Sequence, residues 1–159
     1  MNTAVIAVGR MKEKPYRQMA DEYLKRLSRF GRYEEAEVPD LPEREGASPA
    51  EEERIRTLEG EAILKRIRPG DYVIALTIPG RKQSSQELAA SLTARKNRGE
   101  GRVVFVIGGS LGLGKNVLAR ADEELSMSDM TFPHQLARVM LLEQLYRAEK
   151  IAAGEKYHK

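Results

Sequence analysis

The stretch that most constrains this chain is Arg102–Gly114, RVVFVIGGSLGLG. Val103–Ile107 is an unbroken apolar run of Val, Phe and Ile, the pattern of a strand covered on both faces, as in a parallel sheet. It stops at Gly108-Gly109, and Gly112 and Gly114 follow. Glycines at the carboxyl end of a buried strand let the backbone take positive φ and approach a ligand that a Cβ would exclude. The chain before this stretch reads as scaffold, and the chain after it, through Arg147, reads as site.

Around it the elements alternate. Thr3–Val8, closed by Gly9, is a short apolar strand. Residues 12–30 carry Tyr16, Met19, Ala20, Tyr23, Leu24, Leu27 and Phe30 at helical spacing. Tyr33–Val38 alternates as an edge strand would, and Pro39–Ala47 is a charged, proline-containing loop, the segment expected to be most mobile. Ser48-Pro49-Ala50-Glu51 predicts a capped helix start with Glu51 completing a capping box, and the helix should run to about Ile67. Tyr72–Ile78 reads as a strand stopped by Pro79-Gly80. Ser84-Ser85-Gln86-Glu87 offers a second capping box for a helix reaching Asn97. After the glycines come a short helix (Lys115–Ala121), a short strand (Glu124–Met127), a loop to Phe132 and a last helix, His134–Ala152. This rhythm predicts a single α/β domain over residues 1–159, with a mainly parallel sheet flanked by helices.

The last helix is apolar on more than one face, through Leu136, Val139, Met140, Leu141, Leu142, Leu145 and Ile151. Such a helix needs cover on two sides, and in a small domain the second side is often another subunit. At 159 residues the chain is long enough to bury about 70% of its unfolded surface. Its longest uncharged stretch, Val103–Gly114, is too short to cross a bilayer, and no basic region precedes the first apolar run. Cysteine is absent, so there is neither a disulfide nor a thiolate zinc site, which suits a cytoplasmic protein. A net charge of +3 is compatible with a nucleic-acid partner and does not demonstrate one.

Several motifs carry competing chemistry. Gly109–Asn116, GSLGLGKN, nearly matches a phosphate loop, but Asn116 replaces the hydroxyl that would ligate Mg²⁺. A nucleotide hydrolase is thus the weaker reading, requiring Mg²⁺-dependent binding at Lys115. His134 and His158, the only histidines, are 24 residues apart and make no metal site. Glu143 and Arg147 stand at i, i+4, the spacing of a helix-stabilising pair. On so apolar a helix, however, charges need partners of their own. Tyr157-His158 lies in a terminal tail of the kind that is ordinarily disordered, and its aromatic ring and imidazole among lysines equally suit contact with a base and phosphates.

Taken together, Ala7-Val8-Gly9, Leu76-Thr77-Ile78-Pro79-Gly80, Phe105-Val106-Ile107-Gly108-Gly109, Leu125-Ser126 with Met130-Thr131-Phe132-Pro133-His134, Leu145-Tyr146-Arg147-Ala148 and the ending Tyr157-His158-Lys159 resemble one family across the whole chain. It is the ribosomal large-subunit pseudouridine N3-methyltransferase family of the SPOUT class. The resemblance implies a homodimer whose C-terminal part forms a trefoil knot, a feature no periodicity reveals. It implies S-adenosylmethionine as methyl donor, held by Leu76, Gly108 and the loop Met127, Ser128, Asp129, Met130, Thr131 and Phe132. At Met127, Ser128 and Asp129, where the family varies, the contacts are expected from backbone.

The resemblance also implies methylation of N3 of a pseudouridine in helix 69 of large-subunit rRNA, on the assembled ribosome, with no metal and no membrane. An imide N3 is a poor nucleophile until its proton leaves, so the protein must orient it, accept the proton and stabilise charge on the base carbonyls. Arg147 is expected to stabilise that charge and Glu143 to orient it or the base. Tyr157 and His158 are expected to close over the base, from the partner subunit in a composite site. A reading from another class is a non-catalytic ribosome- or RNA-binding dimer, distinguished by its lack of affinity for the donor.

Overall fold

The computed structural model of the chain describes residues 2–159. In chain order the elements are β1 (Asn2–Val8), α1 (Lys14–Leu27), β2 (Arg32–Val38), α2 (Pro49–Leu64), β3 (Tyr72–Lys82), α3 (Ser85–Asn97), β4 (Val103–Ile107), α4 (Lys115–Arg120), β5 (Glu123–Ser126) and α5 (His134–Ala152). The strands lie in the order β2-β1-β4-β3-β5, and every pair is parallel. The central strand is β4, and all five of its residues are buried, as the apolar run requires.

The two faces of the sheet separate by strand alternation. Val103, Phe105 and Ile107 of β4 join Val5 and Ala7 of β1 in a core completed by α1, α3 and α5. Val104 and Val106 join Ile6 and Val8 in a second core completed by Ile63 of α2 and Val117 of α4. Helix α5 packs along both α1 and α3, the middle of a three-helix layer, with Leu141, Leu142 and Leu145 at 1% exposure or less. Much of the apolar surface that suggests a second subunit in the sequence is thus covered by the chain's own helices. Arg138 on this helix is also buried, and it is matched by carboxylates of edge strand β2: Glu37 at 2.8 Å and Glu35 at 3.6 Å. A charge so deep needs such partners, and the acidic alternation of β2 supplies them.

Three local expectations are corrected. β3 does not stop at Pro79-Gly80; it continues to Lys82, with a register shift against β5 between Leu76 and Arg81. Proline is tolerated there because the shifted segment asks no ladder bond of it. Gly80 is needed because a Cβ would stand 2.8 Å from the carbonyl carbon of Glu124. The capping box at Ser48 is half formed: Ser48 accepts the Glu51 N–H, while the Glu51 carboxylate turns to Arg54 at 2.8 Å. The box at Ser84 and Glu87 is complete. Finally, α1 is shorter than its apolar stripe, because Phe30 lies in a closing turn bonded to Leu27. No helix is long and apolar enough to cross a membrane among the described residues.

Candidate active site

The carboxyl ends of β3, β4 and β5 open on a cavity of about 680 Å³, the place where open parallel sheets hold ligands. One wall is the end of β3, Leu76–Pro79; a second is the glycine loop Ile107–Leu113; a third is the segment after β5 that leads into α5. Seven residues assigned to the donor from the sequence line it: Leu76, Gly108, Met127, Ser128, Met130, Thr131 and Phe132. Asp129 does not. Its carboxylate faces outward and pairs with Lys82 at 2.5 Å. The loop is shaped by its own serines, since Ser126 donates to the Ser128 carbonyl and the Ser128 hydroxyl accepts the Met130 N–H. Ile78, Pro79, Leu113 and His134 also line the cavity and lie outside the sequence-based assignment.

Within the loop, each glycine has its own reason. Gly112 takes φ +82°, and its N–H returns to the Gly109 carbonyl at 3.0 Å, closing a tight turn. A Cβ on Gly108 would meet the Gly112 carbonyl carbon at 2.7 Å, and one on Gly114 the Arg56 carbonyl oxygen at 2.7 Å. Gly108 therefore allows the loop to fold on itself, and Gly114 allows it to dock on α2. These internal contacts, more than an open approach to a ligand, account for the missing side chains.

A polar cluster forms at the far end of α5. Arg147 donates to Glu143 Oε1 from Nε at 3.0 Å and from Nη2 at 2.5 Å, and the Tyr157 hydroxyl donates to the same oxygen at 3.1 Å. Gln144 fills Oε2 at 2.8 Å. The Arg147 guanidinium lies 4.8 Å from the Tyr157 ring centroid, and Tyr157 meets Tyr146 edge-on at 5.0 Å. Arg147 Nη1 is 3.2 Å from His158 Nδ1, and the Gln86 amide is 2.8 Å from Nε2. Arginine only donates, so Nδ1 accepts and Nε2 carries the hydrogen, which requires the Gln86 amide to be turned so that its oxygen, in place of its nitrogen, faces the ring. Burial, then the Glu143 charge, pushes the Tyr157 phenol up to about 12. Hydrogen bonding to Glu143 holds the Arg147 guanidinium above its ordinary range. The tail reaches this position because Gly154 turns it at φ +69° and Glu155 is clasped by Arg29 and Lys150.

Glu143, Arg147, Tyr157 and His158 are thus brought together within one chain, but none of them lines the first cavity. Ala137 does, and Arg147 lies ten residues further along α5, about 15 Å of helix. Glu143 instead borders a second cavity of about 470 Å³ between α1, α3 and α5, which shares Leu125 and Met127 with the first.

Residues 1–158 match the family model described as "Predicted SPOUT methyltransferase". The chain belongs to the SPOUT methyltransferase family. It is accordingly a methyltransferase, and its wholly parallel sheet is the SPOUT sheet named as an expectation above. It is 49% identical to the ribosomal RNA large subunit methyltransferase H of Alkaliphilus oremlandii and 48% identical to that of Carboxydothermus hydrogenoformans, each over the full length of both chains. A similar relative, from Shouchella clausii, is 46% identical over the same span. Among solved structures, a probable methylase family protein from Haemophilus influenzae Rd KW20 superposes over 99% of this chain and 70% of its own, with TM-score 0.58 and 16% identity. A putative methylase family protein from Neisseria gonorrhoeae does so over 91% and 81%, with TM-score 0.55 and 16% identity.

As a SPOUT chain it accounts for the near phosphate loop differently. The Asn116 side chain donates to the Thr57 carbonyl at 3.1 Å and lies against Gly60 of α2, so the residue that breaks the nucleotide motif is a docking contact. Ile78 and Pro79 sit in an irregular strand segment that reads as a stop, and His134 closes the quoted Thr131-Phe132-Pro133-His134 motif with no role assigned to it from the sequence.

Proposed function

We propose that this SPOUT methyltransferase uses S-adenosylmethionine to methylate N3 of a pseudouridine in helix 69 of large-subunit rRNA, on the assembled ribosome, and that it acts as a homodimer with the family's C-terminal trefoil knot. The observation that carries the reading is the cavity at the carboxyl edge, a mostly apolar chamber of about 680 Å³ walled by the end of β3, the glycine loop and the segment leading into α5. Its size and character fit a nucleoside-sized ligand. The full-length similarity to proteins named for rRNA methylation supports the substrate class.

Leu76, Gly108, Met127, Ser128, Met130, Thr131 and Phe132 would hold the donor, whose sulfonium makes the methyl group electrophilic without a metal. Asp129 keeps its place in this assignment through backbone alone, because its side chain belongs to Lys82. Arg147 is fixed by Glu143 in a forked geometry suited to stabilising charge on a base carbonyl. Tyr157 and His158 lie over that guanidinium. Because this cluster is displaced along α5 from the cavity of its own chain, the dimer supplies the meeting point: the cluster of one subunit serves the cavity of its partner. The test is methyl transfer to ribosomes lacking the modification, located by mass spectrometry of the rRNA, with donor binding by calorimetry. A chain that binds no S-adenosylmethionine, or that leaves the pseudouridine unmodified, sinks the reading and favours a non-catalytic ribosome-binding dimer.

A further inference from the structure

Resting on the methyltransferase reading, we propose that His134, seated against Gly9 at the rim of the donor cavity, is the group that takes the N3 proton from the acceptor base. The four residues of the α5 cluster are poorly placed for that task. Glu143 already receives Arg147 twice and Tyr157 on one oxygen, and Gln144 on the other. Tyr157 carries its own proton into that cluster. His158 Nδ1 accepts from Arg147, and Nε2–H is directed at Gln86. Arg147, Tyr157 and His158 offer no free basic lone pair, and the Glu143 carboxylate is already held by four donated hydrogen bonds.

The cavity itself has two titratable side chains among its lining residues, Glu124 and His134. Glu124 accepts the Thr77 hydroxyl at 3.0 Å. His134 is the first residue of α5, and its Cε1 lies 3.2 Å from where a Cβ on Gly9 would stand. The glycine turn after β1 is therefore a seat for the imidazole. Its neighbours on α5, Gln135 and Arg138, are engaged by Glu13 and Glu37, but neither ring nitrogen of His134 has a side-chain partner among the described residues. The charged groups around it are Asp40 after β2, whose Cβ approaches the same point on Gly9, Glu124 of β5 on the same cavity and Arg138 one turn along the helix, while Arg10 follows Gly9 in the chain and is exposed.

In the step, the N3–H bond breaks toward an imidazole nitrogen and the N3 lone pair forms the bond to the methyl carbon. The carbon–sulfur bond breaks with its electrons left on sulfur, giving a neutral thioether. The positive charge ends on the imidazolium, which returns its proton to water. Each subunit thus contributes differently: the partner's cluster presents the cation, and the cavity's own chain accepts the proton.

The experiment uses the full chain and ribosomes lacking the modification, in single turnover across pH. Wild type should gain rate as pH rises from acid and then level off, as a rate that needs an unprotonated base does. His134→Gln should slow transfer by about 100-fold and abolish that acid limb. Its calorimetric affinity for S-adenosylmethionine should stay within about threefold, well under the tenfold that 1.4 kcal/mol represents. His134→Ala should regain rate with added imidazole. With two histidines in the chain, the imidazole proton resonance lost in His134→Gln identifies His134, and that resonance should shift when S-adenosylhomocysteine fills the cavity. An acid limb that persists in His134→Gln, undiminished transfer, or a rate loss that merely follows lost donor affinity overturns the assignment while leaving the methyltransferase reading intact. A wild-type chain with no transfer at all overturns both.

Discussion

Asn116 of α4 places its side-chain amide carbon 2.9 Å from the point where a Cβ on Gly60 of α2 would stand. The missing side chain lets two helices meet, and the Asn116 bond to the Thr57 carbonyl fastens the contact. Alanine at an exposed helix interior is worth about 1 kcal/mol over glycine, but the overpacking expected here costs about 1–3 kcal/mol. Gly60→Ala should therefore lower stability in denaturant titration. In an Asn116→Ala background the sign should reverse, with Gly60→Ala then stabilising by about 0.5–1 kcal/mol. Equal effects in both backgrounds would show that the two residues do not meet.

The same pair marks the limit of what the sequence reveals. Asn116 is visible there as a motif that fails, while its partner, 56 residues earlier in the chain, is not. Local signals read well: the apolar run of β4, the Ser84 and Glu87 box and the bounds of α5 all follow from short-range chemistry. Pro79-Gly80 misleads because its excursion is fixed by the backbone of β5, forty-odd residues away. Glu51 has two possible partners within one turn, and Arg54, a charge, displaces the capping bond. The residues quoted for the donor loop, apart from Asp129, line one cavity, but the separation of that cavity from Glu143 and Arg147 is a property of the packed helix layer. Only the three-dimensional arrangement places Tyr157 and His158 back on their own helix.

Gly108 and Gly112 should respond differently to alanine. At Gly108 the obstacle is backbone, at 2.7 Å and 3.0 Å, so no side chain can move away and the loop itself must shift. Affinity for S-adenosylmethionine should fall by at least about tenfold, or 1.4 kcal/mol, in calorimetry. At Gly112 the added methyl meets open space, and only the left-handed φ is strained. That substitution should cost about 1–2 kcal/mol of stability. Donor affinity unchanged in Gly108→Ala would remove the glycine loop from the donor site.

The Tyr157 phenol gives the tail a pH limit. Its folded value is raised from the ordinary 10 to about 12, so the folded chain holds this proton more tightly than the unfolded one. The stabilisation is fully present below about pH 10 and is lost as pH rises toward 12, when a phenolate would face Glu143. Phenolate absorbance should show a tyrosine ionising late that disappears in Tyr157→Phe. The tail should also become sensitive to protease over the same interval in wild type. If Tyr157→Phe leaves the late-ionising population unchanged, the phenol is not held against Glu143.

Arg147 tests whether the cluster on α5 acts in the reaction or only fastens the tail. Its guanidinium makes two bonds to Glu143, faces the Tyr157 ring and donates to His158, so Arg147→Ala removes both the cation and the platform beneath the tail. Methyl transfer should fall by about 10²–10³-fold, the usual loss for a donor that stabilises developing negative charge. Donor affinity should hold, because Arg147 lies outside the cavity. Arg147→Lys keeps the charge but not the fork, and should recover little, since one ammonium cannot serve Glu143 and a base carbonyl in the same plane. Deleting Tyr157–Lys159 leaves Arg147 bound to Glu143 alone. Turnover should then be abolished with donor binding largely intact if the tail closes over the base. Normal turnover in the deleted chain would mean that the tail only shields the cluster and takes no part in holding the acceptor base.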